Sequence, residues 1–182
     1  MNVLKRAVFI DRDGVIFQPI PREGFQLPTA PFRASEAVLF DGLEDALTLL
    51  GRHGFFRILV TNQPDIAYGH LTESEWERIH GKLSHLDFDD EFVCFHRKED
   101  GCECRKPKPG MLLAAQKKWG IDIARSYMIG DTDKDIRAAK AAGCRSILVD
   151  APYNQSVPAD FRVSSFFEAA RLINRLESRR MQ

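Results

Sequence analysis

The stretch that decides the fold is AVFIDRDGVI, residues 7–16. Its first four residues, Ala7 to Ile10, are apolar, which is typical of a short strand buried on both faces inside a parallel sheet. Asp11, Asp13 and Gly14 follow the strand directly. In open α/β sheets, ligands bind beyond the carboxyl ends of the strands, so these two carboxylates lie where chemistry is expected.

Asp11 and Asp13 are separated by one residue, and carboxylates this close disfavour each other's ionised form. A bound cation would offset the repulsion. The alternative is a structural, Asp-rich turn that closes the strand. These residues alone do not separate the two interpretations, and three later stretches decide between them.

The composition describes a globular chain without an extended charged surface. Of 182 residues, 44% are hydrophobic and 29% are charged, as expected for one domain with a substantial core. Lys plus Arg and Asp plus Glu each number 26, which gives a formal net charge of +0. We therefore expect no nucleic-acid partner. No apolar run has transmembrane length and no signal peptide is recognisable, so we expect a cytoplasmic protein without a membrane partner. We also expect a monomer.

Predicted strands and helices alternate along the chain. Strands are expected at 7–10, 55–60, 92–95, 127–129 and 145–149, and helices at 43–52, 72–86, 109–120, 136–142 and from 165 onward. This pattern predicts an α/β, doubly wound (Rossmann-like), mainly parallel sheet in three α/β/α layers. The irregular segment 17–36 contains four prolines, and a loop of this length in a compact domain is usually functional or mobile. We expect it to be a substrate loop, and too little chain surrounds it for a large cap domain.

Polar side chains cluster after three of the predicted strands. They are Asp11 and Asp13, then Thr61 and Asn62, then Asp131 and Asp135. Carboxylate oxygens suit Mg²⁺, which also binds substrate phosphate. Lys106 precedes a helix and can bring a positive charge to the same crevice, which completes a set suited to phosphoryl transfer. The chain has no Gly-rich Walker loop, which argues against a P-loop kinase.

A second cluster has the spacing of a metal site. It consists of Cys94, His96, Cys102 and Cys104. Three thiols and one imidazole form a closed four-ligand set for structural Zn²⁺. The alternative is a core cysteine beside an exposed, redox-active turn. We expect zinc, because the loop at about 94–104 has few apolar groups to fix it, and we expect Cys144 to be a small buried residue.

Four motifs, in order, resemble those of the haloacid dehalogenase (HAD) superfamily. They are DRDG at 11–14, VTN at 60–62, RKPKP at 105–109 and GDTDKD at 130–135. The resemblance extends over residues 7–150. It implies a single HAD-like domain over residues 1–182. It also implies a phosphatase, because an acid two residues after the nucleophile is characteristic of the phosphatases in this superfamily.

The resemblance also implies a role for each motif residue. Asp11 would be the nucleophile that forms an aspartyl-phosphate, and Asp13 the general acid and then base. Mg²⁺ would bind Asp11, Asp131 and the backbone carbonyl of Asp13, with Asp135 in support. The substrate and its phosphoryl group would bind Thr61, Asn62, Arg105 and Lys106. Arg12 is expected to point away from both neighbouring acids and to be structural.

The zinc loop narrows the resemblance to a subgroup of heptose bisphosphate and histidinol-phosphate phosphatases. Segments 62–69, 106–112 and 126–131 resemble the heptose enzymes, whereas the five-residue gap inside the zinc motif resembles the histidinol enzymes. The implied substrate is a small phosphate ester, such as D-glycero-D-manno-heptose 1,7-bisphosphate. Histidinol phosphate or another small alcohol or sugar phosphate is the alternative.

The departures from the subgroup lie where a leaving group would be recognised. Tyr68 replaces an expected Arg, Pro64-Asp65 replaces Ser-Gly, and the 17–36 loop is longer than in the heptose enzymes. A bisphosphate would need at least two cations that converge on its second phosphate. Candidates are Arg22, Arg33, Arg97, Lys98 and Arg105. We expect each of them except Arg105 to be a solvated surface charge.

Functions from other classes fit the sequence less well. A phospho-receiver module would carry an acid after the middle strand, where residues 59–61 supply none. An inactive zinc scaffold would not be expected to keep Asp11, Asp13, Lys106 and Asp131 intact. An aspartyl-phosphate mutase usually needs a cap domain.

Overall fold

The computed structural model describes residues 5–179, and one parallel sheet organises them. Its strands are β1 (Arg6–Ile10), β2 (Phe55–Asn62), β3 (Asp90–Cys94), β4 (Tyr127–Gly130), β5 (Arg145–Val149) and β6 (Phe161–Val163). The helices are α1 (Leu43–Arg52), α2 (Glu73–Gly81), α3 (Gly110–Trp119), α4 (Asp133–Ala142) and α5 (Phe166–Ser178). Among the described residues, no helix combines the length and the apolar character that crossing a membrane requires.

The strand order is β3-β2-β1-β4-β5-β6, and every neighbouring pair is parallel. This is a doubly wound order, in which the chain moves outward from β1 first to one edge and then to the other. Ile10 at the end of β1 pairs with Leu59 of β2 and Ile129 of β4. The residues that follow these three strands therefore lie at one level, at the point where ligands bind in such sheets.

Helices cover both faces of the sheet. On β1, Val8 and Ile10 belong to a core with α1, α2 and α5, whereas Ala7 and Phe9 belong to a second core with α3 and α4. All four side chains are fully buried. The predicted three-layer fold is thus confirmed, and β1 is buried on both faces as its sequence indicated.

The largest differences from the predicted elements are at α2, α4 and β6. Helix α2 ends at Gly81 instead of residue 86, because glycine weakens a helix; the chain continues in turns that still bury Leu83 and Leu86. Helix α4 begins at Asp133 because Thr132 caps it. Strand β6 was not predicted, because three residues are too few to show a periodicity.

The 17–36 loop folds back on itself and packs against the segment after β2. Ile20 and Thr29 exchange two backbone hydrogen bonds of 2.9 and 2.8 Å. The rings of Phe25 and Phe32 pack against His70, with centroids 5.7 and 5.1 Å away. Between β1 and β2 the described chain has only this loop, a few connecting residues and α1, so no folded cap is inserted there.

Candidate active site

The carboxyl ends of β1, β2 and β4 open into a crevice of ≈ 410 Å³. Seven of the predicted site residues line it: Asp11, Asp13, Asn62, Arg105, Lys106, Asp131 and Asp135. Thr61 is buried just beneath, where its hydroxyl accepts a 2.8 Å hydrogen bond from Gln63. The sheet therefore brings together residues that are up to 124 positions apart in the chain, from Asp11 to Asp135.

Lys106 is the centre of a buried ion network. Its Nζ lies 2.8 Å from Asp11 Oδ1 and 2.6 Å from Asp135 Oδ1. It also donates a 2.8 Å hydrogen bond to the carbonyl oxygen of Val60. Burial by itself would lower the pKa of Lys106, but the two carboxylates outweigh it and raise that pKa above its usual value. Lys106 is therefore a permanent cation against Asp11.

The aspartates around Lys106 carry more negative charge than one lysine neutralises. Burial, followed by the charge of Asp135, raises the pKa of Asp11 to about 7 despite Lys106. Burial, followed by the charge of Asp11, also raises the pKa of Asp131 well above its usual value. The ionised form of each carboxyl is therefore held at a cost that a cation would offset.

The same three carboxyls fit a magnesium ion. Asp11, Asp131 and Asp135 each present an oxygen within 4.8 Å of the others. Asp131 Oδ1 is buried and has no hydrogen-bond partner among the described residues. A buried, unpartnered carboxylate oxygen beside two further carboxylates is a suitable donor for Mg²⁺, which prefers oxygen ligands.

Asn62 acts on the backbone of Lys106. Its side-chain amide donates a 3.0 Å hydrogen bond to the Lys106 carbonyl oxygen, and its side-chain oxygen accepts one of 3.0 Å from the Lys106 N–H. One amide N–H of Asn62 is left for a phosphoryl oxygen. Asn62, predicted as a phosphate ligand, therefore also positions the lysine.

Asp13 is held from two sides, by Arg12 and Gln63. The buried Arg12 places Nε 3.2 Å and Nη2 3.1 Å from Asp13 Oδ1, and its guanidinium lies 4.8 Å from the ring centre of Trp76. Gln63 donates to Asp13 Oδ2 at 2.6 Å and accepts from Arg12 Nη2 at 2.8 Å. The expectation that Arg12 points away from both acids is wrong for Asp13, because β1 ends at Ile10 and strand alternation does not continue beyond it.

Gly14 allows the two acidic motifs to meet. Its φ is +87°, and a Cβ atom at this position would lie 2.0 Å from Asp131 Oδ2. Any side chain here would therefore be strained in its backbone and would displace Asp131. The glycine of the DRDG motif is required by this close approach.

The loop after β5 contributes two residues that the sequence analysis missed. Tyr153 donates its hydroxyl hydrogen to Asp131 Oδ2, and Asn154 donates a 2.7 Å hydrogen bond to the backbone carbonyl of Asp131. Gln63 was missed as well. No local motif marks Tyr153 and Asn154, because they reach the site only through the order of the strands. Gln63, by contrast, directly follows Asn62, so its place beside the site could have been inferred from the sequence.

The predicted zinc ligands converge in the structure. Donor atoms of Cys94, His96, Cys102 and Cys104 lie within 4.8 Å of one another. Cys94 Sγ is 3.7 Å from Cys102 Sγ and 3.2 Å from Cys104 Sγ, and His96 Nδ1 is 3.2 Å from Cys104 Sγ. A tetrahedral site with zinc–sulfur bonds of about 2.3 Å has sulfur–sulfur edges of about 3.8 Å, so the set fits zinc. Burial and then the neighbouring thiols raise the pKa of Cys104 to about 12, a cost that a cation would offset.

Cys144 is buried and belongs to the core beneath α3 and α4. It is not one of the grouped metal donors found among residues 5–179. The expectation of a small buried residue is confirmed.

The rim of the crevice is built from exposed and aromatic residues. Phe25 and Leu27 of the 17–36 loop face it, together with Tyr68 and His70 from the segment after β2. The Tyr68 hydroxyl donates to Glu99 at 2.9 Å and accepts a 3.1 Å hydrogen bond from the backbone N–H of Lys98. Tyr68 thus ties the segment after β2 to the predicted zinc loop.

Of the five candidate cations, Arg105 is the one that lines the crevice, as expected. Arg22 is paired with Glu36 and lies 4.1 Å from the ring centre of Phe32. Arg97 donates to the carbonyl of Ala67 at 2.9 Å. Lys134, which was not predicted, also lines the crevice and is exposed.

Comparisons with known proteins agree with this geometry. Residues 103–155 match the HAD-hydrolase-like family. The D-glycero-beta-D-manno-heptose-1,7-bisphosphate 7-phosphatase of Vibrio cholerae serotype O1 is 38% identical over 152 residues, which cover 76% of this chain and 77% of that protein. The enzyme of the same name from Escherichia coli is 36% identical over 149 residues, covering 75% and 74%.

A solved structure shows the same similarity. It is the D,D-heptose 1,7-bisphosphate phosphatase from B. bronchiseptica complexed with magnesium and phosphate. Its TM-score against this chain is 0.79 at 27% identity, with 94% of this chain and 99% of that chain covered. A magnesium ion and a phosphate in that protein match the chemistry of the carboxylate and lysine cluster found here.

Proposed function

Since this chain belongs to the HAD phosphatase family that includes the D-glycero-beta-D-manno-heptose-1,7-bisphosphate 7-phosphatases, we propose that it is a Mg²⁺-dependent phosphatase of a small sugar phosphate. That heptose bisphosphate is the substrate we favour. The observation that carries the proposal is the buried pair of Lys106 and Asp11, 2.8 Å apart, beside the unpartnered oxygen of Asp131. This arrangement combines a nucleophile, a fixed cation and a metal donor in one crevice.

Asp11 is the proposed nucleophile. Its Oδ1 accepts hydrogen bonds of 2.8 Å from Lys106 Nζ and from the backbone N–H of Arg12. These bonds fix the carboxylate and leave Oδ2 without a hydrogen bond from the described residues. Asp11 can therefore attack phosphorus in line and form an aspartyl-phosphate while the alcohol leaves.

Asp13 is the proposed acid and base. Arg12 and Gln63 hold its carboxyl at the crevice, where its side chain is 16% exposed. As an acid it gives a proton to the leaving oxygen, and as a carboxylate it then takes a proton from the water that hydrolyses the aspartyl-phosphate. The donors on Arg12 and Gln63 keep this carboxyl aimed through both steps.

Asp11, Asp131 and the backbone carbonyl of Asp13, supported by Asp135, would hold Mg²⁺. When bound, the ion would supply positive charge to the phosphoryl oxygens during transfer. Lys106 adds a second positive charge at Asp11, and Thr61, Asn62 and Arg105 are the proposed partners of the phosphoryl group and substrate. Asn62 has the clearest dual role, since it also fixes the Lys106 backbone.

We propose that Cys94, His96, Cys102 and Cys104 bind a structural Zn²⁺. Four protein ligands leave no open position, as is typical of structural sites. The loop ends at Cys104, immediately before Arg105 and Lys106. It also packs closely on α3, since a Cβ at Gly110 would lie 2.2 Å from the carbonyl oxygen of Glu103. Zinc would therefore fix the loop that delivers both cations to the crevice.

The rim supports a sugar phosphate with a second anionic group. Arg105 and Lys134 both line the crevice and could share a second phosphate, while Phe25 and Tyr68 offer apolar faces to the carbon chain. The net charge of +0 supports the proposal that nucleic acid and anionic membranes are not partners. A cytoplasmic, monomeric, single-domain enzyme completes the proposal.

Histidinol phosphate is the second candidate substrate, because of the five-residue gap between His96 and Cys102. Phosphate release should be measured with Mg²⁺ from the heptose bisphosphate, histidinol phosphate and an aryl phosphate side by side. We expect the heptose ester to be preferred by about 100-fold, equivalent to about 2.7 kcal/mol. A similar preference for histidinol phosphate would establish the second candidate. Release from the aryl ester alone would reject both substrates and keep the chemistry, and no release from any ester would contradict the proposed function.

A further inference from the structure

The loop between β5 and β6 donates hydrogen bonds to Asp131 at two positions, its backbone carbonyl and its carboxylate. Asn154 donates to the backbone carbonyls of Asp131 at 2.7 Å and of Val149 at 2.8 Å. The hydroxyl of Tyr153 donates to the Asp131 carboxylate at Oδ2. Because β5 is the neighbour of β4, this loop lies beside the strand end that carries Asp131, and none of the four HAD-like motifs includes these contacts.

The position of Tyr153 is fixed by the structure around it. Asn154 is fully buried, and its side-chain oxygen accepts a 3.0 Å hydrogen bond from the N–H of Ala151. Arg162 of β6 donates to the carbonyl oxygen of Val157 at 2.8 Å and to that of Asn154 at 3.3 Å. The loop is thus closed by its own hydrogen bonds and tied to the sheet, so Tyr153 has little freedom to leave Asp131.

The two oxygens of Asp131 have different surroundings. Oδ2 accepts the Tyr153 hydrogen bond and faces Gly14, whose missing side chain leaves room for it. Oδ1 is buried and has no hydrogen-bond partner among residues 5–179. A carboxylate held at one oxygen presents the other in a single direction, which is how outer contacts orient metal ligands.

We propose that Tyr153 is a positioning residue that holds Asp131 by Oδ2 and presents Oδ1 to the divalent cation. This inference rests on the proposed Mg²⁺ chemistry and adds a residue outside the family motifs to it. Loss of a comparable outer contact weakens metal binding by about 10–100-fold in other proteins.

The chain contains a matched control. Tyr127 also buries a hydroxyl that donates to a carboxylate, at 2.9 Å from Glu177 Oε1, but neither residue lines the crevice. Tyr153→Phe and Tyr127→Phe therefore each remove one oxygen and one Tyr–carboxylate hydrogen bond. Their comparison separates an effect on the cation from a general loss of a buried hydrogen bond.

The test is a titration of the whole protein with Mg²⁺ by calorimetry, and with Mn²⁺ as a paramagnetic probe, without substrate. We expect Tyr153→Phe to raise the dissociation constant by about 10–100-fold and Tyr127→Phe to leave it within about twofold of the wild type. Asp131→Asn gives the value for a lost ligand. If Tyr153→Phe does not fold, Tyr153→Met provides the same test without the hydroxyl.

The outcomes separate this inference from the proposed function. If the wild type binds the ion and Tyr153→Phe binds it equally well, Tyr153 only fills space and the inference is wrong, while the proposed function stands. An equal loss in Tyr127→Phe would also overturn the inference. If the wild type itself binds neither ion, both the inference and the proposed metal chemistry fail.

Discussion

The reaction centre and the rim of the crevice are adjacent, yet they are built in opposite ways. At the centre, Lys106 is 2% exposed, and its amino group is held by two carboxylates and a carbonyl oxygen. At the rim, Phe25 is 44% exposed, and its ring contacts the rings of Phe32 and His70. A buried charge network tolerates little change, whereas an exposed aromatic surface tolerates much. We therefore propose that the centre fixes the type of reaction and that the rim selects the substrate.

Replacing the nucleophile should give the largest effect. Asp11→Asn should lower turnover by about four orders of magnitude or more, because an amide does not attack phosphorus. Phosphate release measured on correctly folded protein tests this. The control is Asp133→Asn, an exposed acid at the start of α4 that pairs with Arg137, which should keep activity. A folded and active Asp11→Asn enzyme would refute the assignment.

Removing the central cation should cost both activity and stability. Lys106→Met leaves Asp11 and Asp135 buried without their counter-charge, and we expect the free energy of unfolding to fall by about 3–5 kcal/mol. Urea unfolding in Mg²⁺-free buffer measures this.

The matched control for Lys106 is Lys108→Met. Lys108 is exposed and pairs with Glu103 at 2.7 Å, so its loss should cost less than about 1 kcal/mol. Equal costs for the two variants would contradict the view that the buried network around Lys106 stabilises the fold more than a surface ion pair does.

The proposed zinc loop joins the two regions. Metal analysis should find about one zinc per chain that resists mild dialysis, as four protein ligands require. Cys102→Ser should lose the metal and unfold at a lower temperature, whereas Cys144→Ala should keep it, because Cys144 lies in the core. Protein purified without chelator that contains no zinc would remove this element of the account.

The raised pKa of Asp11 at the centre should also affect the pH dependence of stability. Burial and Asp135 raise the pKa of Asp11 from 3.8 to about 7 in the folded protein. Between these values the folded state binds more protons than the unfolded state, so this group lowers stability as pH rises from about 4 to about 7. Chemical unfolding in Mg²⁺-free buffer should show this fall, and added Mg²⁺ should reverse it near pH 7. In Asp11→Asn the fall should be smaller; an unchanged profile would show that Asp11 does not cause it.

The smallest effect is expected at the rim. Phe25→Ala should raise KM for the preferred sugar phosphate by about fivefold, or roughly 1 kcal/mol, through lost apolar contact. The turnover number should hardly change, since Phe25 touches none of the reacting groups. Leu113→Ala on α3, an exposed apolar residue outside the crevice, is the control. A fall in the turnover number would indicate that Phe25 contributes to the chemical step, and it would contradict the distinction between centre and rim.

The sequence predicted the centre better than the rim, for physical reasons. Strand β1 could be predicted because burial on both faces requires an unbroken apolar run. The DRDG motif could be recognised because only glycine fits beside Asp131. The convergence of the carboxyl ends of β1, β2 and β4 at one edge of the sheet then follows from the parallel pairing of these strands. These features depend on local patterns that a single sequence displays.

The missed features depend on contacts between distant segments. Tyr153 reaches Asp131 only because β5 lies beside β4, and no pattern around Tyr153 signals this. Arg12 turns toward Asp13 because the strand ends at Ile10, a boundary that alternation does not reveal. At the rim, the packing of the Phe25 and Phe32 rings against His70 could likewise not be predicted from a proline-rich loop.

Trapping the covalent intermediate tests the central claim most directly. Asp13→Asn keeps the shape of the side chain but cannot activate water, so hydrolysis of the aspartyl-phosphate should slow. An aryl phosphate, which needs no acid to leave, should be mixed with this variant and Mg²⁺, quenched in acid and mapped by mass spectrometry. The account predicts a phosphoryl adduct on the peptide that carries Asp11, absent from the double variant with Asp11→Asn. An adduct on another residue, or a burst of product with no adduct at all, would contradict it.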